Sequence, residues 1–251
     1  MDLGLDGRVY IITGGSRGLG FATARALVAD GAEVVLSSRS GANVAEAAAS
    51  LGPHAYGVAA DLTDPETPDL LVREANARFG RLDGAFVSVG GPAMGTAAGV
   101  TDDQWRSAFE TVFLGSLRAM RVFAGALTDG GAIGIVLSTS AKTPLTNLGL
   151  SNGLRPGLAM AAKDMADEYG PRGIRVFGLM PGRILTDRNR ELFAATGDAE
   201  AAAAHTAEAI PLRRIGEPEE FGKVAAFVLS PAAGYLTGLV IPVDGGSLRA
   251  L

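Results

Sequence analysis

The sequence predicts an α/β fold: a doubly wound, mostly parallel seven-stranded sheet with helices on both faces. Three observations predict it. Seven short apolar runs alternate with helical patterns almost from end to end. The runs show little in–out alternation, as strands buried on both faces do. The first run ends in a glycine-rich turn, TGGSRGLG (13–20), that opens directly into a helix.

In chain order, RVYIIT (8–13) is the first strand and LGFATARALVAD (19–30) its helix. AEVVLSS (32–38) is the second strand, backed by an Ala-rich helix over 43–50. HAYGVAA (54–60) is the third. PETPDLLVREANARFG (65–80) supplies the next helix, with Pro65 near its start, where proline is tolerated. DGAFVSVG (83–90) is the fourth strand, followed by a long helix over 102–127, and GAIGIVLS (131–138) is the fifth. Residues 153–169 read as a helix, in which Pro156 either delays the start or introduces a kink; Ser151 or Asn152 would make a reasonable N-cap. GIRVFGLM (173–180), a helix over 217–229 and LVIPV (239–243) complete the pattern. No linker, repeat or charge block divides the chain, so one domain over 1–251 is expected, with a substrate-side lid at about 186–215.

Composition narrows the function. A formal charge of −5 and a pI near 5.1 disfavour nucleic acid or an anionic membrane as main partner. The absence of cysteine excludes disulfides, thiolate metal sites and a cysteine nucleophile, and no metal site is expected. The opening MDLGLDGR is acidic, without the apolar core of a signal peptide, and no apolar run reaches the roughly 18 residues of a membrane span. A soluble, cytoplasmic protein is expected.

The turn places Gly14, Gly18 and Gly20 after Thr13, with Ser16, Arg17 and Leu19 between them. Glycine lets backbone approach a pyrophosphate, and the helix behind directs its positive end at it. The second strand ends Ser37-Ser38-Arg39-Ser40. A carboxylate there would hold an adenine-ribose diol and repel a 2′-phosphate. With no acid, and with Arg17 and Arg39 at the same corner, NADP(H) is preferred over NAD(H). Either arginine alone is more often a solvated surface residue.

The pattern Thr13-Gly14-x-x-x-Gly18-x-Gly20 resembles that of the short-chain dehydrogenase/reductase family, a Rossmann-fold family, and the resemblance covers nearly the whole chain. It implies that Asp61 and Leu62 meet the adenine, that Gly90 lies in the strand-four segment, and that Pro181, Gly182, Ile184 and Thr186 form the nicotinamide-side loop. Gly216-Glu217-Pro218 and Pro242-Val243-Asp244-Gly245-Gly246 are also family-like. It further implies a homotetramer, assembled through helices 102–127 and 153–169.

The family's ketone reductases pair a serine after the fifth strand with Tyr-x-x-x-Lys and an asparagine on the long helix. Tyrosine protonates the carbonyl oxygen, and the ammonium lowers its pKa. Here Ser138 matches the serine, but Ser151 and Arg155 stand where tyrosine and lysine are expected, and Val112 replaces the asparagine. There is no tyrosine or histidine between Gly134 and Glu168. Ser151 can donate a hydrogen bond but hardly a proton. Arg155 can hold the nicotinamide ribose but is no acid at neutral pH. Lys142, in the loop beyond Ser138, is a candidate donor if it is desolvated, though most loop lysines are solvated. His205, in the lid, reads as a surface residue and His54 has no assigned role.

An apolar pocket for a carbonyl substrate should be lined by some of Pro92, Met94, Leu145, Leu148, Leu150, Ile184 and Phe193. The expected function is reduction of a 3-oxoacyl compound or another ketone, with a non-standard proton donor. The alternative is a non-catalytic NADP(H)-binding sensor or inactive partner subunit.

Overall fold

Successive residues of the first strand face opposite layers. In the computed structural model, which describes residues 1–127 and 130–249 (Arg188 by its backbone), Val9 and Ile11 pack into one apolar cluster and Tyr10 and Ile12 into another. The strands are β1 (Val9–Ile12), β2 (Glu33–Ser38), β3 (Ala55–Ala59), β4 (Gly84–Val87), β5 (Ala132–Val136), β6 (Arg175–Pro181) and β7 (Leu239–Val243). They form one parallel sheet in the order β3-β2-β1-β4-β5-β6-β7.

Helices α1 (Gly18–Ala29) and α2 (Gly41–Leu51) cover one face together with α9 (Pro218–Leu229). The other face carries α3 (Thr67–Phe79), the long helix and α6 (Gly149–Tyr169). The strand order reverses between β1 and β4, and ligands of such sheets bind beyond the carboxyl ends of the strands at that point.

The long helix is not uniform. It runs as α4 (Asp102–Ala108), a π-helical turn over Phe109–Leu114, and α5 (Gly115–Ala126). Thr101 and Gln104 close its start with a capping box.

α6 starts at Gly149, four residues before the expected 153, and neither Ser151 nor Asn152 caps it. Tertiary contacts explain the early start. The Gly149 N–H donates to the Gly95 carbonyl at 2.8 Å. The Asn152 amide makes two bonds to Leu145, accepting from its N–H at 3.0 Å and donating to its carbonyl at 2.9 Å. The helix therefore passes through Pro156 and forgoes the bond to the Asn152 carbonyl that proline cannot donate.

Between β6 and β7 lie α7 (Asp187–Ala194) and α8 (Ala199–Glu208), in the segment expected to form the lid. Among the described residues, no helix is long and apolar enough to cross a membrane.

Candidate active site

Thr13 joins the ends of β1 and β4 at the reversal. Its hydroxyl donates to the Ser88 carbonyl and accepts from the Ser88 N–H, each at 2.9 Å. Gly14 turns the chain there with φ +56°, and a Cβ on it would stand 2.5 Å from the Ser88 carbonyl oxygen. A Cβ on Gly20 would collide with the Gly14 carbonyl oxygen. Only glycine fits either position.

α1 then begins at Gly18 with Arg17 as N-cap, and no side chain caps its first amides. Those amides are free to meet an anion. The Ser16 hydroxyl donates to the Ser38 hydroxyl at 3.0 Å, tying the turn to the end of β2. Arg17 and Arg39 are exposed there, and Arg17 lines two open hollows of about 390 and 400 Å³ on either side of α1.

The other expected cofactor residues lie along the same edge of the sheet. The Asp61 carboxylate accepts from the Thr63 N–H at 3.0 Å, and Thr67 donates to the Asp61 carbonyl at 2.7 Å. Arg118, which sequence reasoning missed, reaches the carbonyls of Leu62 and Thr63 and pairs with Glu110 across the π-helical turn at 3.1 Å. Gly90 is exposed beyond β4, and Leu19 is half-buried in the first turn of α1. Pro181 ends β6, and the Gly182 N–H donates to the Val243 carbonyl at 3.0 Å. Thr186 is the N-cap of α7 and makes no capping bond; its methyl lies 3.7 Å from where a Gly18 Cβ would stand.

The chemical end differs from the expectation in three ways. The Ser138 hydroxyl accepts the Ser140 N–H at 3.1 Å, while the hydroxyl of Ser140 lies 2.9 Å from that of Ser151. Ser140 and Ser151 are both buried, whereas Ser138 is partly open. Sequence reasoning passed over Ser140, although the Ser138-Thr139-Ser140 repeat was its signal.

Arg155 does not project to the surface. It is 3% exposed, donates to the Val136 carbonyl at 2.5 Å, and its Nε has no partner among the described residues. Burial lowers its pKa to about 10, so it remains a cation at neutral pH.

Lys142 is exposed, so the desolvation that a proton-donating lysine requires is absent. His205 is exposed on α8 beside Glu208, and His54 pairs with Glu33.

Where an asparagine relay would run there is an apolar cluster. Val112, 1% exposed in the π-helical turn, packs with Val100, Ala108, Leu150 and Leu154. A Cβ on Gly153 would stand 2.6 Å from the Trp105 ring, so α6 lies hard against α4. Leu150 and Ile184, two of the expected pocket residues, belong to the core. Met94 is exposed, and Pro92, Leu145, Leu148 and Phe193 are half-buried.

Residues 14–247 match the family model described as Enoyl-(Acyl carrier protein) reductase. The 3-oxoacyl-[acyl-carrier-protein] reductase FabG of Vibrio harveyi is 29% identical over 246 residues, covering 97% of this chain and 98% of its own. L-sorbose reductase from Gluconobacter frateurii, in complex with NADPH and L-sorbose, superposes with a TM-score of 0.95 at 31% identity, over 100% of both chains. An NADPH-bound short chain oxidoreductase from Pseudomonas aeruginosa PAO1, described as containing an atypical catalytic center, gives a TM-score of 0.91 at 28% identity, over 97% and 98% of the two chains. The parallel sheet, the glycine-rich turn at its reversal and these likenesses along almost the full length agree: the chain belongs to the short-chain dehydrogenase/reductase family.

Proposed function

We propose that this protein is an NADPH-dependent carbonyl reductase that works without the family's Tyr–Lys pair. The carrying observation is the cradle at the sheet reversal. Backbone packed against Gly14 and Gly20 fixes the tight turn, and the uncapped start of α1 follows directly from it. The reductase reading is supported by the NADPH-bound L-sorbose reductase and short chain oxidoreductase that the chain resembles over almost its full length.

Gly14, Ser16, Arg17, Gly18, Leu19 and Gly20 would hold the pyrophosphate. Asp61, Leu62 and Gly90 would border the adenine side, and Pro181, Gly182, Ile184 and Thr186 the nicotinamide. Ser38, Arg39 and Arg17 would accept a 2′-phosphate, with no carboxylate at the end of β2 to repel one. When bound, NADPH supplies hydride to a carbonyl carbon. Ser138, whose oxygen already accepts the Ser140 N–H, keeps its hydroxyl proton to polarise the carbonyl oxygen. Among the described residues the buried Arg155 charge faces no acid, and it favours negative charge developing at that end.

A 3-oxoacyl thioester or another ketone is the substrate class, on the strength of FabG and L-sorbose reductase. The chain forms one domain, with α7 and α8 as its lid. Assembly through the long helix and α6 is supported by the exposed Phe109, stacked on Phe113, and by Met160, 68% exposed on α6.

The competing reading is a non-catalytic NADP(H)-binding protein, favoured by the inward Arg155 and the missing tyrosine. Titration with NADPH and NADH, followed by NADPH oxidation against acetoacetyl thioesters, sugars and diketones, separates the two. Trp105, the sole tryptophan, packs on α6 and serves as an energy-transfer donor for the titration. NADPH should bind more tightly than NADH and be oxidised by at least one carbonyl. Tight binding with no oxidation would favour the sensor.

A further inference from the structure

Two serine hydroxyls facing each other hold two protons, and the bond between them uses only one. The Ser140 and Ser151 oxygens lie 2.9 Å apart in a buried setting. Neither makes another side-chain hydrogen bond among the described residues, so one hydroxyl proton is left to point elsewhere. Ser140 is the more deeply buried, at 3% exposed against 6% for Ser151. Its N–H is also held by Ser138. A proton left over on Ser140 would point into packed protein and go unsatisfied. With Ser140 donating to the slightly less buried Ser151, the Ser151 proton is left for a group bound in the site.

Ser151 is also the third residue of α6, whose N-cap, Leu148, offers no side-chain oxygen to the first-turn amides. The positive helix end and the Arg155 cation, one turn further on, both favour negative charge next to Ser151.

We infer that Ser140 is a positioning residue for the reduction: it orients Ser151 as the hydroxyl that donates a hydrogen bond to the nascent alkoxide. This rests on the reductase reading. As the carbonyl carbon accepts hydride from NADPH, the C=O π pair moves onto oxygen, where the Ser151 hydroxyl donates a hydrogen bond to the developing charge. The proton comes from solvent, so one NADPH and one proton are consumed for each alcohol formed.

The test uses Ser140→Ala, Ser140→Thr, Ser151→Ala and the double Ser140→Ala/Ser151→Ala. The probes are acetoacetyl-pantetheine, L-sorbose and an aromatic diketone. Ser140→Ala should lower kcat by at least about tenfold, with NADPH affinity within about twofold of wild type. Ser140→Thr, which keeps a hydroxyl, should recover most of the rate. The double variant should be no slower than Ser151→Ala, because the two hydroxyls act as one unit.

Unchanged kcat in Ser140→Ala would overturn the inference while leaving the reductase reading intact. So would additive losses, or a fall in melting temperature and NADPH affinity that matches the fall in rate. Wild type that binds NADPH yet turns over none of the three probes would overturn both.

Discussion

Arg155 and Arg175 are both buried, and their surroundings predict opposite results for removing them. Arg175 gathers the carbonyls of Val228, Leu229 and Ser230, at the C-terminal end of α9, at 2.6–3.1 Å. A cation there complements the negative end of the helix and adds to the bonds that the Ser230 carbonyl accepts from the Ala233 N–H at 3.1 Å and the Leu229 carbonyl from the Tyr10 hydroxyl at 3.5 Å. Arg175→Met should cost about 1–3 kcal/mol, since it takes the donor from the buried Val228 carbonyl and weakens the bonding of its two neighbours. Among the described residues, Arg155 has one hydrogen bond, to a backbone carbonyl, and no counter-ion. Arg155→Met should raise stability by about 1–3 kcal/mol, as replacing an uncompensated buried charge often does, while weakening NADPH binding or turnover. Chemical denaturation of both variants checks the pair; an Arg155→Met protein less stable than wild type would mean that its charge is compensated after all.

At this scale the sequence displays the candidate positions of the site. The glycines, Ser138, Ser151, Arg155 and the bare end of β2 are local signals in fixed order. Side-chain direction was not legible, because the burial of Arg155 and the contact between Ser140 and Ser151 depend on how α6 lies against β5.

At the scale of elements, the glycine-rich turn and α6 illustrate two kinds of constraint. The turn is dictated locally by backbone conformation and close approach. Gly14→Ala meets both a φ of +56° and a clash with Ser88, so it should destabilise the protein by about 1–3 kcal/mol and weaken NADPH binding by at least about tenfold. A thermal melt and a cofactor titration would reveal this, and normal NADPH affinity in a folded variant would contradict the role assigned to the cradle.

α6 is dictated from outside. Proline statistics favour a late start or a break at Pro156, but the Gly149–Gly95 bond and the clamp of Asn152 on Leu145 extend the helix four residues earlier. The π-helical turn was likewise invisible, because nothing in the periodicity of 102–127 separates it from an ordinary helix. It is what places Val112 in the apolar cluster and Arg118 beneath the Asp61–Thr63 loop.

For the molecule as a whole, buried apolar runs and their helical spacers made the parallel, doubly wound sheet readable, since topology follows from which faces must be covered. The same burial sets the response to pH. Desolvation pushes the Tyr10 phenol up to about 12. Below pH about 10 the folded and unfolded chains both keep that proton. Between about 10 and 12 only the unfolded chain loses it, so stability falls by about 1.4 kcal/mol per pH unit from this group. Arg155 titrates in the opposite sense over that range, which the comparison of wild type with Tyr10→Phe cancels. The difference in unfolding free energy between the two should be constant up to pH about 10 and then shift in favour of Tyr10→Phe as the pH rises. A flat difference through pH 12 would place the phenol in contact with water.

The central claim is that hydride chemistry survives on this fold without tyrosine and lysine. Its most direct measurement follows deuterium from C4-deuterated NADPH into product, with purified protein and the same carbonyl probes. The account predicts deuterium on the former carbonyl carbon of an alcohol, formed in step with NADPH loss. Tight NADPH binding with no deuterium transferred to any probe would contradict it.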